Sequence, residues 1–483
     1  MQIIIACFDY LYSPAKNEID QLQKLPWLVL LLIKWVLVDE EYDTSGKRDL
    51  DANKFKKILQ LLHDLGSTIR GPSQYAHHAL FFRNVAYQQF LYQHSFGLAC
   101  LARQSLLFGS VEDSHLFKRE FVNLTGMSIE CFVELALILL CRFINGKGYT
   151  ISSQWFQTVR SYYTANEIEA LLRSLSINLP DLRQKLLNLE GAGRRSSEFY
   201  EQTPFLRFPL LKVNGQYLCV YPNVLFRTLE HFIYDVLRSW DSNRFMAKFG
   251  DVFERYLEKG LIYAKVPHAN EAVLKRELGG TGSVIDFLCH DRDSNILIDA
   301  KAVEMAYEGK VTHLPEIVKD KVKTSIIKAI EQAFDVLRRL QITNSKNPVI
   351  QHRKTNYLLV VTFKELYLMN GRNFYDAIAK DKLDEISEEY KGSPQIPLEN
   401  MYFITVEEFD YLIEMIRLGK TSFEVALAKA KESDSDIKSR KFDFILHLSS
   451  WDNELKAPQY IQDEQDQLFN KIVQILEEQE HIS

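Results

Sequence analysis

The residues best placed to do chemistry lie in the segment 279–301, GGTGSVIDFLCHDRDSNILIDAK. Two apolar runs flank a polar turn at Arg292 and Asp293, and that turn is also the midpoint between Asp286 and Asp299. In a regular antiparallel hairpin the two aspartates therefore face each other, with Cβ atoms roughly 5 Å apart. Two carboxylates this close repel, and among Val, Ile, Leu, Phe and Cys neither can shed its charge into water cheaply. A divalent cation resolves the conflict. Lys301 follows Asp299 by two residues, so strand periodicity puts its ammonium on the same face. Hard oxygen ligands for Mg²⁺ or Mn²⁺ beside a lysine suit phosphodiester hydrolysis, in which the metal activates water and the lysine stabilises developing charge. A third acid is needed, and Glu254 is the candidate: Phe249, Phe253, Leu257 and Leu261 mark the apolar face of a helix that Glu254 flanks.

These residues resemble the PD-(D/E)XK nuclease superfamily, whose restriction-endonuclease-like fold has a helix with a glutamate, a strand with an aspartate, a strand ending in Asp/Glu-x-Lys and a following helix. The resemblance maps the glutamate to Glu254, the aspartate to Asp286 and the tripeptide to Asp299-Ala300-Lys301, and covers residues 241–405, about a third of the chain. It implies Mg²⁺ (or Mn²⁺) held by Glu254, Asp286 and Asp299, with Lys301 assisting the attacking water. Gln332, in the helix expected over 314–340, resembles a glutamine often found facing such sites; a surface amide is the alternative. The tripeptide alone is weak, since Glu389-Tyr390-Lys391, Asp436-Ile437-Lys438 and Glu454-Leu455-Lys456 also satisfy it, in polar or helical surroundings with no partner aspartate. Context distinguishes the match at Asp299, for which a simple same-face ion pair with Lys301 is the bland reading.

Lys319, Lys321, Lys323 and Lys328, with Arg338 and Arg339 beyond them, form a basic run that could grip a phosphate backbone or simply make a solvated helix face. Gly279-Gly280-Thr281-Gly282 precedes a strand instead of joining strand to helix, so it reads as a tight turn and not a phosphate cradle. His77-His78 and the other histidines lack zinc spacing.

The elements that must position these residues follow from periodicity. Three- and four-residue apolar spacing predicts an all-helical N-terminal domain over 1–195, ending in a flexible connection at 191–197. A hairpin turned by Asn214-Gly215 and a helix over 222–240 form a bridge over 200–240. A nuclease-type domain is expected over 241–410, with helices at 241–264 and 314–340 and strands at 274–278, 283–290, 295–303, 357–362 and 401–405. An acidic helical extension over 411–483 completes an α+β multi-domain chain with a mixed sheet flanked by helices.

At 483 residues the chain exceeds one hydrophobic core, and 46% hydrophobic with 25% charged residues excludes wholesale disorder. The net charge of −6 divides into +2 over 1–240, +4 over 241–380 and −12 over 381–483, so the candidate site lies in the block that leans most basic. The acidic tail reads as a solvated surface, with a shield over a basic groove as the alternative. Six cysteines without a CxxC pair predict buried thiols in a reducing cytoplasm. The apolar runs at 25–38 and 131–144 are interrupted by Lys34, Glu134 and Arg142 and predict core helices, not membrane spans.

Together these features predict a cytoplasmic Mg²⁺-dependent nuclease, DNA being favoured over RNA such as transfer RNA by the habit of the superfamily. An effector role in bacterial anti-phage defence fits by analogy, with a protein partner or homodimer through the helical N-terminal region. The reading from another class is a catalytically silent nucleic-acid-binding or assembly protein on the same fold.

Overall fold

The computed structural model describes residues 2–39, 50–69, 71, 73, 75–93, 97–144, 148–190, 196–279, 282 and 284–480. Most of the connection expected at 191–197, and Gly280 and Thr281 of the glycine-rich turn, lie outside the described residues. The chain is α+β, with two mixed sheets among many helices. It forms two compact units: residues 1–74, 84–242 and 461–483 make the first, and 75–83 with 243–460 the second.

The first unit is helical but not all-helical. Strands β1 (Thr150–Ile151), β2 (Ser176–Asn178), β3 (Leu210–Val213) and β4 (Gln216–Cys219) form a sheet in the order β1-β4-β3-β2. β3 and β4 are the expected hairpin, with Asn214 (φ 49°) and Gly215 (φ 76°) both left-handed as a type I′ turn requires. β1 and β2 escape sequence reading because two or three residues are too few to display alternation; pairing with β4 and β3 creates them. The hairpin and the Pro222–Trp240 helix group with this unit, as does the end of the acidic segment from Ile461 onward. In the Ile129–Ile144 helix, Phe132 stacks on Phe232 at 4.6 Å. Its buried Glu134 accepts hydrogen bonds from Tyr163 Oη (2.7 Å) and Lys471 Nζ (2.5 Å). The stretch Glu18–Val38 has the length and composition to cross a membrane. Half of its apolar window is buried within the protein, and its Lys34 pairs with Glu198 and Glu201 at 3.4 and 3.1 Å. Five of the six cysteines are buried; Cys141 is exposed.

The second unit is built on a five-stranded sheet in sequential order: β5 (His268–Asn270), β6 (Phe287–Asp291), β7 (Ser294–Lys301), β8 (Thr355–Thr362) and β9 (Met401–Thr405). β5 pairs antiparallel with β6 and β6 with β7, whereas β7 with β8 and β8 with β9 are parallel. The parallel β7–β8 step needs a long crossover. The helical segments Pro315–Val322, Lys323–Ile327 and Lys328–Ile342 supply it. β7 is buried continuously from Ser294 to Asp299 and shows no alternation, as befits a central strand covered on both faces. The Ser242–Tyr263 helix packs Phe249 and Phe253 on Phe363 just beyond β8.

One predicted strand is wrong. Residues 274–277 belong to the helix Glu271–Glu277, with Leu278 as its C-cap, and the Asn270 side chain caps its start by accepting from Val273 N at 3.2 Å. An ion pair between Glu271 and Lys275 (2.7 Å) supports its exposed face. A cap followed by an i,i+4 pair outweighs a short apolar run.

Candidate active site

The site forms where β6 and β7 begin and end side by side. Phe287 pairs with Ile298, so one further step of the same register brings Asp286 opposite Asp299. Arg292, at φ 47°, takes the left-handed conformation that lets the intervening turn close. Asp286 Oδ2 accepts a hydrogen bond of 2.6 Å from Ala300 N, which fixes its carboxylate against β7. Lys301 Nζ lies 2.5 Å from Asp299 Oδ2, the same-face pair that strand periodicity predicts. Lys301 and Asp286 are the partners that act on Asp299, itself 1% exposed, and beyond them its two oxygens meet no aligned hydrogen-bond donor. Such a vacancy is costly in a buried carboxylate.

The carboxyl groups are coupled electrostatically. Burial pushes Asp286 up to about 8, with Asp299 and Glu254 adding to the rise and the Ala300 N–H and Lys301 opposing it. Burial also raises Asp299, against the pull of Lys301. Glu254 rises to about 7, first through burial and then through Glu271, Asp251 and Asp299. Three buried carboxyls all raised by burial and by one another fit the donor set of a hard divalent cation. As positioned, no group of three or more His, Cys, Asp and Glu side chains among the described residues is close enough to hold a metal ion. The aspartates and Lys301 are brought together; Glu254 is near enough to feel their charge without closing the set.

Gln332, partly buried, donates from Nε2 to Val284 O (3.1 Å), two residues before Asp286, and its Oε1 is buried with no partner. It ties the crossover helix to the approach to β6. The basic run divides. Lys319 is paired with Glu316 (2.5 Å) and Asp381 (2.9 Å), and Lys321 lies 3.8 Å from Glu308. Arg338 and Arg339 both pair with Asp335. Lys323 and Lys328 are exposed. The matches at Glu389, Asp436 and Glu454 lie outside the strands.

Sequence reading missed a second group at the same edge. Phe363 N donates to Lys301 O at 3.3 Å, extending the β7–β8 ladder. Beyond it, Glu304 Oε1 is 3.1 Å from Lys310 Nζ and Glu304 Oε2 is 3.4 Å from Lys364 Nζ. Arg83 donates to Leu366 O (3.1 Å) and to Gly309 O, joining the segments after β7 and β8. No local pattern could have flagged residues separated by this much chain. No protein-family model, curated protein or solved structure matches this chain.

Proposed function

We propose that the second unit is a metal-dependent nuclease of the PD-(D/E)XK type, hydrolysing phosphodiester bonds in nucleic acid. The observation that carries the reading is Asp299: central in the sheet, almost wholly buried, opposite Asp286 and paired only with Lys301 at its open edge. The order of helix, antiparallel strands, crossover helix and parallel strand around it agrees with what the resemblance implies for a restriction-endonuclease-like core.

Asp286 and Asp299 would hold Mg²⁺ or Mn²⁺, with Glu254 completing the set. When bound, the cation supplies charge that polarises the phosphoryl oxygen and acidifies a bound water. The chain's own residues do the rest. The Ala300 N–H keeps Asp286 turned toward β7, and the apolar strand neighbours keep water from Asp299. Lys301, restrained by Asp299, presents a positive charge that can stabilise negative charge building up on a phosphate. Glu254, with its carboxyl raised to about 7, must release its proton for the ligand set to form, so cation affinity rises with pH through neutrality.

DNA is the favoured substrate and RNA, including transfer RNA, the alternative; a cytoplasmic effector of anti-phage defence suits such an enzyme. The ligand set being open as positioned favours a second reading, a silent nucleic-acid-binding protein. The test is incubation of the purified chain with plasmid DNA, single-stranded DNA and transfer RNA in Mg²⁺, Mn²⁺ or EDTA. Cleavage that needs the cation and disappears in Asp299→Ala and Lys301→Ala supports the nuclease; cleavage surviving both removes the site assignment. Binding without cleavage supports the silent protein.

A further inference from the structure

We infer that Lys364 and Lys310 bind a backbone phosphate beside the candidate site, and that Glu304 occupies that phosphate's place in the free protein. The inference rests on the nucleic-acid reading above. Lys301 pairs with Thr362 in the parallel register and Asp299 with Val360, so Thr362 shares the face of the two site residues. Lys364 follows two residues later, at the C-terminal edge of the β7–β8 pair, where parallel sheets bind their ligands. There one carboxylate spans two ammonium groups, Lys310 on one oxygen and Lys364 on the other, at 3.1 and 3.4 Å. A phosphodiester offers two anionic oxygens in a comparable fork.

The cations are built in. Lys364 and Lys310 are 10% and 17% exposed, unlike the solvated Lys323 and Lys328. Arg83 fixes the segments that bear them through Gly309 O and Leu366 O. Tyr367 and Met369, directly after Lys364, hold left-handed backbone at φ 50° and 63°. Bulky non-glycine residues keep such conformations only where the surroundings impose them. The phosphate could belong to DNA or to RNA, whose backbone chemistry is shared.

The full chain in EDTA is titrated against a labelled 20-mer duplex DNA, its single strand and a transfer RNA at two salt concentrations. Lys364→Met and Lys310→Met, which keep the apolar stems, should each weaken binding about three- to tenfold at low salt. Each should also lower the slope of log K against log salt by about 0.7–0.9, one phosphate contact. Glu304→Gln should tighten binding, because the competing carboxylate is gone; a misfolded variant could not do so. The three probes identify which nucleic acid is gripped. Lysine variants with the parent's affinity and slope overturn the inference, as does weaker binding in Glu304→Gln or a parent that binds none of the probes. Binding that responds as expected, in a chain that cleaves nothing in Mn²⁺, supports the phosphate site and rejects the nuclease; cleavage with unchanged Lys364→Met binding does the reverse.

Discussion

The second unit buries two sets of carboxylates, and they are treated in opposite ways. In the helices after β9, Tyr256 Oη donates one hydrogen bond shared between the two oxygens of Asp410, at 2.9 and 3.0 Å, and Glu414 accepts from Tyr263 Oη and Arg417. Asp434 collects Asn370 Nδ2, Tyr402 Oη, Lys441 N and His447 Nε2. Burial alone would raise Asp434, but the His447 and backbone contacts outweigh it and leave the carboxyl below its ordinary range. At the sheet, Asp299 has only Lys301 and Asp286 beside it, and Asp286 has the Ala300 N–H. Their carboxyls rise. Asp410, Glu414 and Asp434 are held by aligned donors from several elements, whereas Asp299 meets only Lys301 and Asp286 at the sheet, a setting that suits a cation.

The sharpest separation of the two sets is functional. Asp299→Ala should lower cation-dependent cleavage at least about 100-fold in kcat while the protein stays folded, measured on plasmid DNA with melting curves in parallel. Asp434→Ala should do the opposite, stranding the Asn370, Tyr402 and His447 side chains. The expected cost is about 3 kcal/mol in a denaturant melt, with the site's chemistry unchanged per folded molecule.

The next contrast is in pH. A carboxyl raised on folding gives stability that is complete below its unfolded pKa and is lost as pH climbs through its folded value. Metal-free protein should therefore lose stability between about pH 4 and about 8 through Asp286. Asp434, lowered on folding, gives stability present above its ordinary value and lost as pH falls through the lowered one. In EDTA near pH 8, Asp286→Asn should raise Tm, reflecting on the order of 1–2 kcal/mol at about 2–4 °C per kcal/mol; near pH 5 the difference should shrink. Equal Tm values near pH 8 would remove the idea that Asp286 is strained there. The smallest effect expected is Tyr256→Phe, about 1 kcal/mol from the lost hydrogen bond to Asp410, read by chemical denaturation without change in cation binding.

Much of this site is local. The mirror placement of Asp286 and Asp299 needs only a two-residue turn, and Lys301 needs only strand periodicity. The amphipathic face Phe249–Phe253–Leu257–Leu261 likewise foretells the Ser242–Tyr263 helix. Elsewhere short elements mislead. The 274–277 run is a helix because Asn270 caps it, and β1, β2 and β5 exist only through their partners.

By itself the sequence determined the two-residue turn, the facing aspartates and the lysine beside them, because hydrogen bonding and side-chain alternation within twenty residues suffice to set them. Tertiary structure alone decided the rest. It selected a sheet that turns from antiparallel to parallel at β7, and it brought Lys364 and Arg83 to the segment following Lys301. It also assigned the last acidic helix in part to the first unit. Those outcomes depend on which distant apolar faces pack together, and the energy of that packing is shared among many residues, none of which announces its partner in the local pattern.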